Sequence, residues 1–135
     1  MKRKKLKVLI VDDQPGVRFL LDILVRECGH ATYLAENGLE AIEKARSICP
    51  DLVFMDVRMP LTGGLEALGI IKKTNPQIQV IIMTAYGSEQ TVSDALKKGA
   101  WRYIDKPFDV NDIKELLIKF VNEYNGKGPE AVGFQ

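Results

Sequence analysis

The chain has 135 residues, 46% of them hydrophobic and 27% charged, the size and make-up of one globular domain with one core. Nineteen basic residues against eighteen acidic ones leave a formal charge of +1, so the charge balance draws the protein neither to nucleic acid nor to a membrane surface. A single histidine, His30, and two cysteines, Cys28 and Cys49, without CxxC spacing argue against a histidine metal cage, a conventional catalytic triad and a disulfide framework.

Met1-Lys2-Arg3-Lys4-Lys5 is basic, but no apolar signal-peptide core follows it, and it reads as a solvated tail. Lys7 to Val11 is an apolar run that ends in Asp12-Asp13, a buried strand with acid at its carboxyl end. Pro15 suits the first turn of a helix, on which Val17, Leu20, Leu21, Leu24 and Cys28 form the expected core stripe; Phe19 and Ile23 lie off it, and Gly29 ends it. Ala31 to Ala35 is a short strand. Asn37 caps a second helix whose Ala41, Ile42 and Ala45 face inward.

Leu52-Val53-Phe54-Met55 follows, four apolar residues in a row leading into Asp56. Such a run, without alternation, fits the middle of a parallel sheet covered on both faces. Gly63-Gly64 reads as a flexible loop before a third helix carrying Leu65, Leu68 and Ile71, and Asn75-Pro76 breaks that helix. Val80 to Thr84 is a further buried strand. Ser88 caps a fourth helix with Val92, Ala95 and Leu96 inside, closed by Gly99. Trp101 to Ile104 is the fifth strand, and Lys106-Pro107-Phe108 a loop. Asp109 caps the last helix, with Ile113, Leu116, Leu117, Phe120, Val121 and Tyr124 on its apolar stripe. Residues 125–135 have no periodicity and read as a tail, against a domain at 5–124. No apolar run is long enough to span a bilayer.

Strand and helix thus alternate five times. Right-handed crossovers turn that order into an α/β fold, a five-stranded parallel doubly wound sheet with five helices on its two faces. Ligands in such sheets bind beyond the carboxyl ends of the strands. Asp12, Asp13, Asp56, Thr84 and Lys106 all fall there. Each has an ordinary reading as a cap, a turn or a surface residue, but the fold gathers all of them on one edge. Three carboxylates at close range repel and need a cation; an all-oxygen site suits Mg²⁺. A hydroxyl and an ammonium opposite the acids would hold an anion, which is a layout for phosphoryl transfer. Asp56 is the carboxylate placed to attack in line.

These motifs resemble a known family. Val11-Asp12-Asp13, the strand ending in Asp56 with Pro60 and Gly64 after it, Thr84-Ala85 and Lys106-Pro107 are similar to the signature of response-regulator receiver domains of two-component signalling, with a flavodoxin-like fold. The intervals fit as well: 44 residues from Asp12 to Asp56, 28 on to Thr84 and 22 on to Lys106. Asp12-Asp13-Gln14 with Gly16, Arg18 and Leu20-Leu21, and the run Ile81 to Gly87, resemble the single-domain receivers of sporulation phosphorelays; transcription-activator receivers share the second run.

The resemblance implies that Asp56 is the phosphoacceptor. Asp13, Asp56 and the backbone carbonyl of Arg58 would ligate Mg²⁺ directly, with Asp12 acting largely through a water. Thr84 and Lys106 would contact the phosphoryl group, and Lys106-Pro107 would be cis. Thr84 and Tyr103 would form the switch, and Gln14, Gly16, Val17, Leu20, Pro107 and Phe108 the surface that meets a histidine-bearing partner. Arg58 and Tyr86 would cover the phosphoryl group and slow its hydrolysis. The implied partners are a sensor histidine kinase and a histidine phosphotransfer protein, in the cytoplasm, with no nucleic acid and no membrane. Two rival readings are a detached receiver of a transcription regulator and a Mg²⁺-dependent aspartyl-phosphate phosphohydrolase. The second would need Asp-x-Asp after the first strand, where this chain has Asp12-Asp13-Gln14.

Overall fold

The computed structural model describes residues 5–85 and 89–126. Ten elements alternate along the chain: β1 (Lys7–Val11), α1 (Pro15–Glu27), β2 (Ala31–Ala35), α2 (Gly38–Ile48), β3 (Leu52–Asp56), α3 (Gly64–Thr74), β4 (Gln79–Thr84), α4 (Glu89–Lys97), β5 (Arg102–Asp105) and α5 (Val110–Gly126). The strands form one sheet in the order β2-β1-β3-β4-β5, every neighbouring pair parallel. The expected five-stranded doubly wound sheet is therefore the observed one. The strand order reverses at β1, which sits between β2 and β3, so a crevice opens where β1 and β3 end.

Alternation along the strands sorts side chains into two cores. Val8, Ile10, Leu52, Phe54, Ile81 and Met83 face α1 and α5, where they meet Leu21, Leu24, Val25, Ile113, Leu117 and Phe120. Leu9, Val11, Val53, Met55, Val80 and Ile82 face the other layer, against Ala41, Ala45, Ala67, Leu68, Ile71 and Ala95 of α2, α3 and α4. All five residues of β3 are buried, because both faces are covered. Small residues on the second face let those helices approach the sheet closely.

Helix ends follow the local chemistry. Pro15 opens α1, and Gly29 (φ 92°) follows its end. Asn37 caps α2 by accepting from the Glu40 N–H (2.8 Å), and the Glu40 carboxylate accepts from the N–H of Glu36, one residue before the cap (2.7 Å). At the start of α5 the exchange is reciprocal: the Asp109 carboxylate accepts from the Asp112 N–H, and the Asp112 carboxylate from the Asp109 N–H.

Several expectations are corrected. Leu20 is 41% exposed, and the buried face of α1 runs through Arg18, Leu21, Leu24 and Val25 instead. Val25 lies in the same core as Ile113, Leu117 and Phe120 of α5, and Leu20 is left to solvent. Leu96 of α4 is 49% exposed because that short helix reaches the core through Ala95. β5 runs from Arg102 to Asp105, one residue later than expected. Gly63-Gly64 is no flexible loop. Gly63 is the N-cap and Gly64 the first residue of α3, packed so tightly that an added Cβ would lie 2.1 Å from the Asp56 carbonyl oxygen. His30 is buried, and its Nδ1 accepts from the Leu6 N–H (3.2 Å). Cys28 and Cys49 are free thiols at the C-caps of α1 and α2. The Ser88 cap, Tyr86 and the tail beyond residue 126 lie outside the described residues. Among the described residues no helix is long and apolar enough to cross a membrane.

Candidate functional site

Asp12, the residue after β1, is fully buried. Its Oδ1 accepts from the Gln14 N–H (2.9 Å), a local turn that starts α1, and its Oδ2 accepts from Lys106 Nζ (2.6 Å). The carbonyl of Asp12 accepts from Arg18 Nη1 (2.7 Å), so a buried guanidinium on α1 pins the acidic loop from behind. Arg18 stands three residues before Leu21 and seven before Val25, on the buried face of the helix, a place that the apolar stripe in the sequence does not mark.

Asp56 ends β3, also buried, 3.2 Å from the same Lys106 ammonium. Asp13, exposed, completes the acidic group. One carboxylate oxygen from each of Asp12, Asp13 and Asp56 lies within 4.8 Å of the other two. Thr84 ends β4 and is buried; its carbonyl accepts from the Lys106 N–H (2.8 Å), which ties the end of β4 to the residue after β5. Asp13, Asp56, Arg58, Thr84 and Lys106 line one cleft together with Gln14, Val57 and Ala85. The Lys106-Pro107 bond is cis, as the resemblance implied.

The electrostatics of the cluster are tense. Burial, then the charge of Asp12, push the Asp56 carboxyl from 3.8 up to about 6, and Asp13 adds to the push; the charge and hydrogen bond of Lys106 pull the other way. For Lys106, burial disfavours the charge, but the hydrogen bonds and charges of Asp12 and Asp56 outweigh it and hold the ammonium above its ordinary range. One cation is thus shared between two buried carboxylates, with a third close by. Three converging oxygens, one of them exposed, fit a hard cation such as Mg²⁺, which takes oxygen ligands and keeps several waters. Bringing a dication to these oxygens would offset the repulsion that adds to burial in raising Asp56.

The other expected residues divide. Gln14 and Gly16 are exposed, Val17 is half-buried, and Leu20 is open to solvent beside Phe19 and Ile23. Pro107 is exposed, whereas Phe108 packs partly against the core under α1 and α5. Tyr103 is 43% exposed and borders clefts toward α4 and toward α5. Arg58 is exposed.

A parallel doubly wound sheet with an acidic triad and a shared lysine at its switch point defines a class of phosphoryl-accepting signalling domains. The chain belongs to the response regulator receiver domain family, whose model matches residues 8–118. It is 39% identical to sporulation initiation phosphotransferase F of Bacillus subtilis over 115 residues, 85% of this chain and 93% of that protein. It is 42% identical to the chemotaxis protein CheY of Listeria monocytogenes over 84% of this chain and 97% of that one. Among solved structures, a CheY-like receiver domain protein from Methanospirillum hungatei superposes with a TM-score of 0.88 at 26% identity, covering 93% of this chain and all of that one. The protein is a response-regulator receiver.

Proposed function

We propose that this receiver takes a phosphoryl group onto Asp56 from a phosphohistidine protein, in a Mg²⁺-dependent step, and hands the signal to a phosphotransfer or effector partner. The observation that carries the reading is the sharing of the Lys106 ammonium between Asp12 and Asp56 inside the acidic triad. Asp13, Asp56 and the Arg58 carbonyl are the groups that would hold the ion, with Asp12 behind them. When bound, Mg²⁺ supplies charge neutralisation for the incoming phosphoryl oxygens. A carboxylate oxygen of Asp56 attacks phosphorus, the P–N bond to the donor imidazole breaks, and its electron pair stays on the ring nitrogen. Lys106 then turns from the carboxylates to the phosphoryl group, and the Thr84 hydroxyl donates to it.

That rearrangement drives the switch. Moving a population from 1:99 to 99:1 takes about 5.5 kcal/mol. One charge-assisted hydrogen bond contributes roughly 1.5–3 kcal/mol, so Thr84 and Lys106 act jointly, with Tyr103 turning inward behind Thr84. Gln14, Gly16, Val17, Leu20, Pro107 and Phe108 form the docking surface for a sensor histidine kinase or a histidine phosphotransfer protein, with Gln14 at the edge of the cleft. The cytoplasm is where such donors present their phosphohistidines. Self-dephosphorylation is slow, because Arg58 offers donors and no acceptor for a water proton.

The test is incubation with acetyl phosphate and Mg²⁺, read by intact mass. A gain of one phosphoryl group is expected, absent in Asp56→Asn and Asp13→Ala and absent in EDTA. Undiminished labelling of Asp13→Ala in EDTA overturns the reading.

A further inference from the structure

The chain between β3 and α3 holds two consecutive non-glycine residues in the left-handed region, Leu61 at φ 50° and Thr62 at φ 75°. A β-branched residue is a genuine outlier there, and such strain persists where surrounding structure enforces it. Leu61 is 65% exposed, so side-chain packing is not what holds it. The holding contact is with α2. The Leu61 carbonyl accepts from the Leu39 N–H (2.9 Å), one of the donors that the first turn of a helix leaves without an internal partner.

Gly38 lies under the same apex. A Cβ at that position would meet the Thr62 carbonyl oxygen at 1.9 Å, so the apex can sit where it does because residue 38 has no side chain. The first turn of α2 is itself fixed by the Asn37 cap on the Glu40 N–H and by the Glu40 carboxylate on the Glu36 N–H. At its other end the segment closes on itself, with the Gly64 N–H donating to the Val57 carbonyl (2.8 Å). Arg58 lies between these two fastenings.

We propose that the first turn of α2, through Gly38 and the Leu39 N–H, is a positioning element that braces the Leu61–Thr62 apex and so aims the Arg58 carbonyl into the metal site. This rests on the reading of the Arg58 carbonyl as a Mg²⁺ contact. It gives α2, which touches neither metal nor phosphoryl group, a part in metal affinity.

Two substitutions of one exposed residue separate the brace from the side chain. Leu61→Pro locks φ near –65° and turns the carbonyl away from Leu39. Leu61→Gly also removes the side chain but leaves the left-handed conformation open. Calorimetric titration of the full chain with Mg²⁺ is expected to show roughly tenfold weaker binding for Leu61→Pro, the effect of losing an outer support of a metal ligand. Leu61→Gly stays within about twofold of the wild type, as a surface change should. Labelling of Leu61→Pro by acetyl phosphate recovers at raised Mg²⁺, which a general folding defect would not allow. Equal Mg²⁺ affinity in the two variants overturns the brace. Should Leu61→Pro lose cooperative melting, Gly38→Ala decides from the opposite side: weakened Mg²⁺ binding supports the proposal, and wild-type affinity overturns it. A wild-type chain that takes up neither Mg²⁺ nor a phosphoryl group refutes the site assignment itself, whereas a competent wild type with an unaffected Leu61→Pro refutes the brace alone.

Discussion

Replacing Asp56 by Asn should stabilise the metal-free protein, by an amount set by pH. The carboxyl is raised from 3.8 to about 6 by burial and by Asp12, after the opposing pull of Lys106. The folded protein therefore keeps this proton to higher pH than the unfolded chain does. The stability linked to it is fully present below about pH 4 and is lost as pH climbs through about 6. About two pK units correspond to ~3 kcal/mol, so the wild type at pH 7.5 carries a penalty of up to that size that Asn does not. For a chain of this length, 1 kcal/mol is worth roughly 4 °C, which makes the gap in melting temperature about 10 °C. The assay is urea denaturation of both proteins in EDTA from pH 4 to 7.5. Taking the difference between variant and wild type cancels the groups they share. The gap should open between pH 4 and 6.5 and then level off. Mg²⁺ at a hundred times its dissociation constant adds about 2.7 kcal/mol to the wild type and should nearly close the gap. A gap of the same size at pH 4 and 7.5 would refute the electrostatic account of the site.

Four further outcomes are expected. Gly64→Ala would set a Cβ 2.1 Å from the Asp56 carbonyl oxygen and should cost ~3 kcal/mol in chemical denaturation, with slower labelling by acetyl phosphate. Lys106→Met leaves Asp12 and Asp56 facing each other without their shared cation, so the acid limb of the labelling-rate profile should move to higher pH. Tyr124→Phe removes the 2.9 Å bond to Asp51 and should lower stability by about 0.5–1.5 kcal/mol while leaving labelling untouched. Arg58→Asn supplies an acceptor beside Asp56 and should shorten the lifetime of the phosphorylated form, measured as decay in Mg²⁺ after the donor is removed.

The alternation of strand and helix was plain from the sequence because buried parallel strands read as unbroken apolar runs, and Leu52 to Met55 is such a run. The carboxylates were plain for a related reason: acid directly after an apolar run has few places to go but the end of a strand. Helix rotation was less legible. Periodicity put Leu20 in the core of α1, but Arg18, Leu21 and Val25 share the buried face, and a buried arginine is invisible to a stripe defined by apolar residues. Leu96 failed in the same way, since Ala95 contributes contact through closeness and not through size. The strain at Leu61 and Thr62 left no trace, because neither residue type favours the conformation it adopts. Gly38 and Gly64 were visible as glycines, but which backbone each one accommodates became apparent in three dimensions.

At the foot of β3, far from the acidic cluster, the Asp51 carboxylate accepts from the Lys7 N–H (2.9 Å) and the Tyr124 hydroxyl (2.9 Å). Its carbonyl accepts from the Gln79 N–H (3.2 Å). One residue thereby rivets three strands and the last helix together, directly behind the strand that carries Asp56. A strand clamped at its base and enclosed along its whole length presents the Asp56 carboxylate from a fixed footing, like a tool held in a vice.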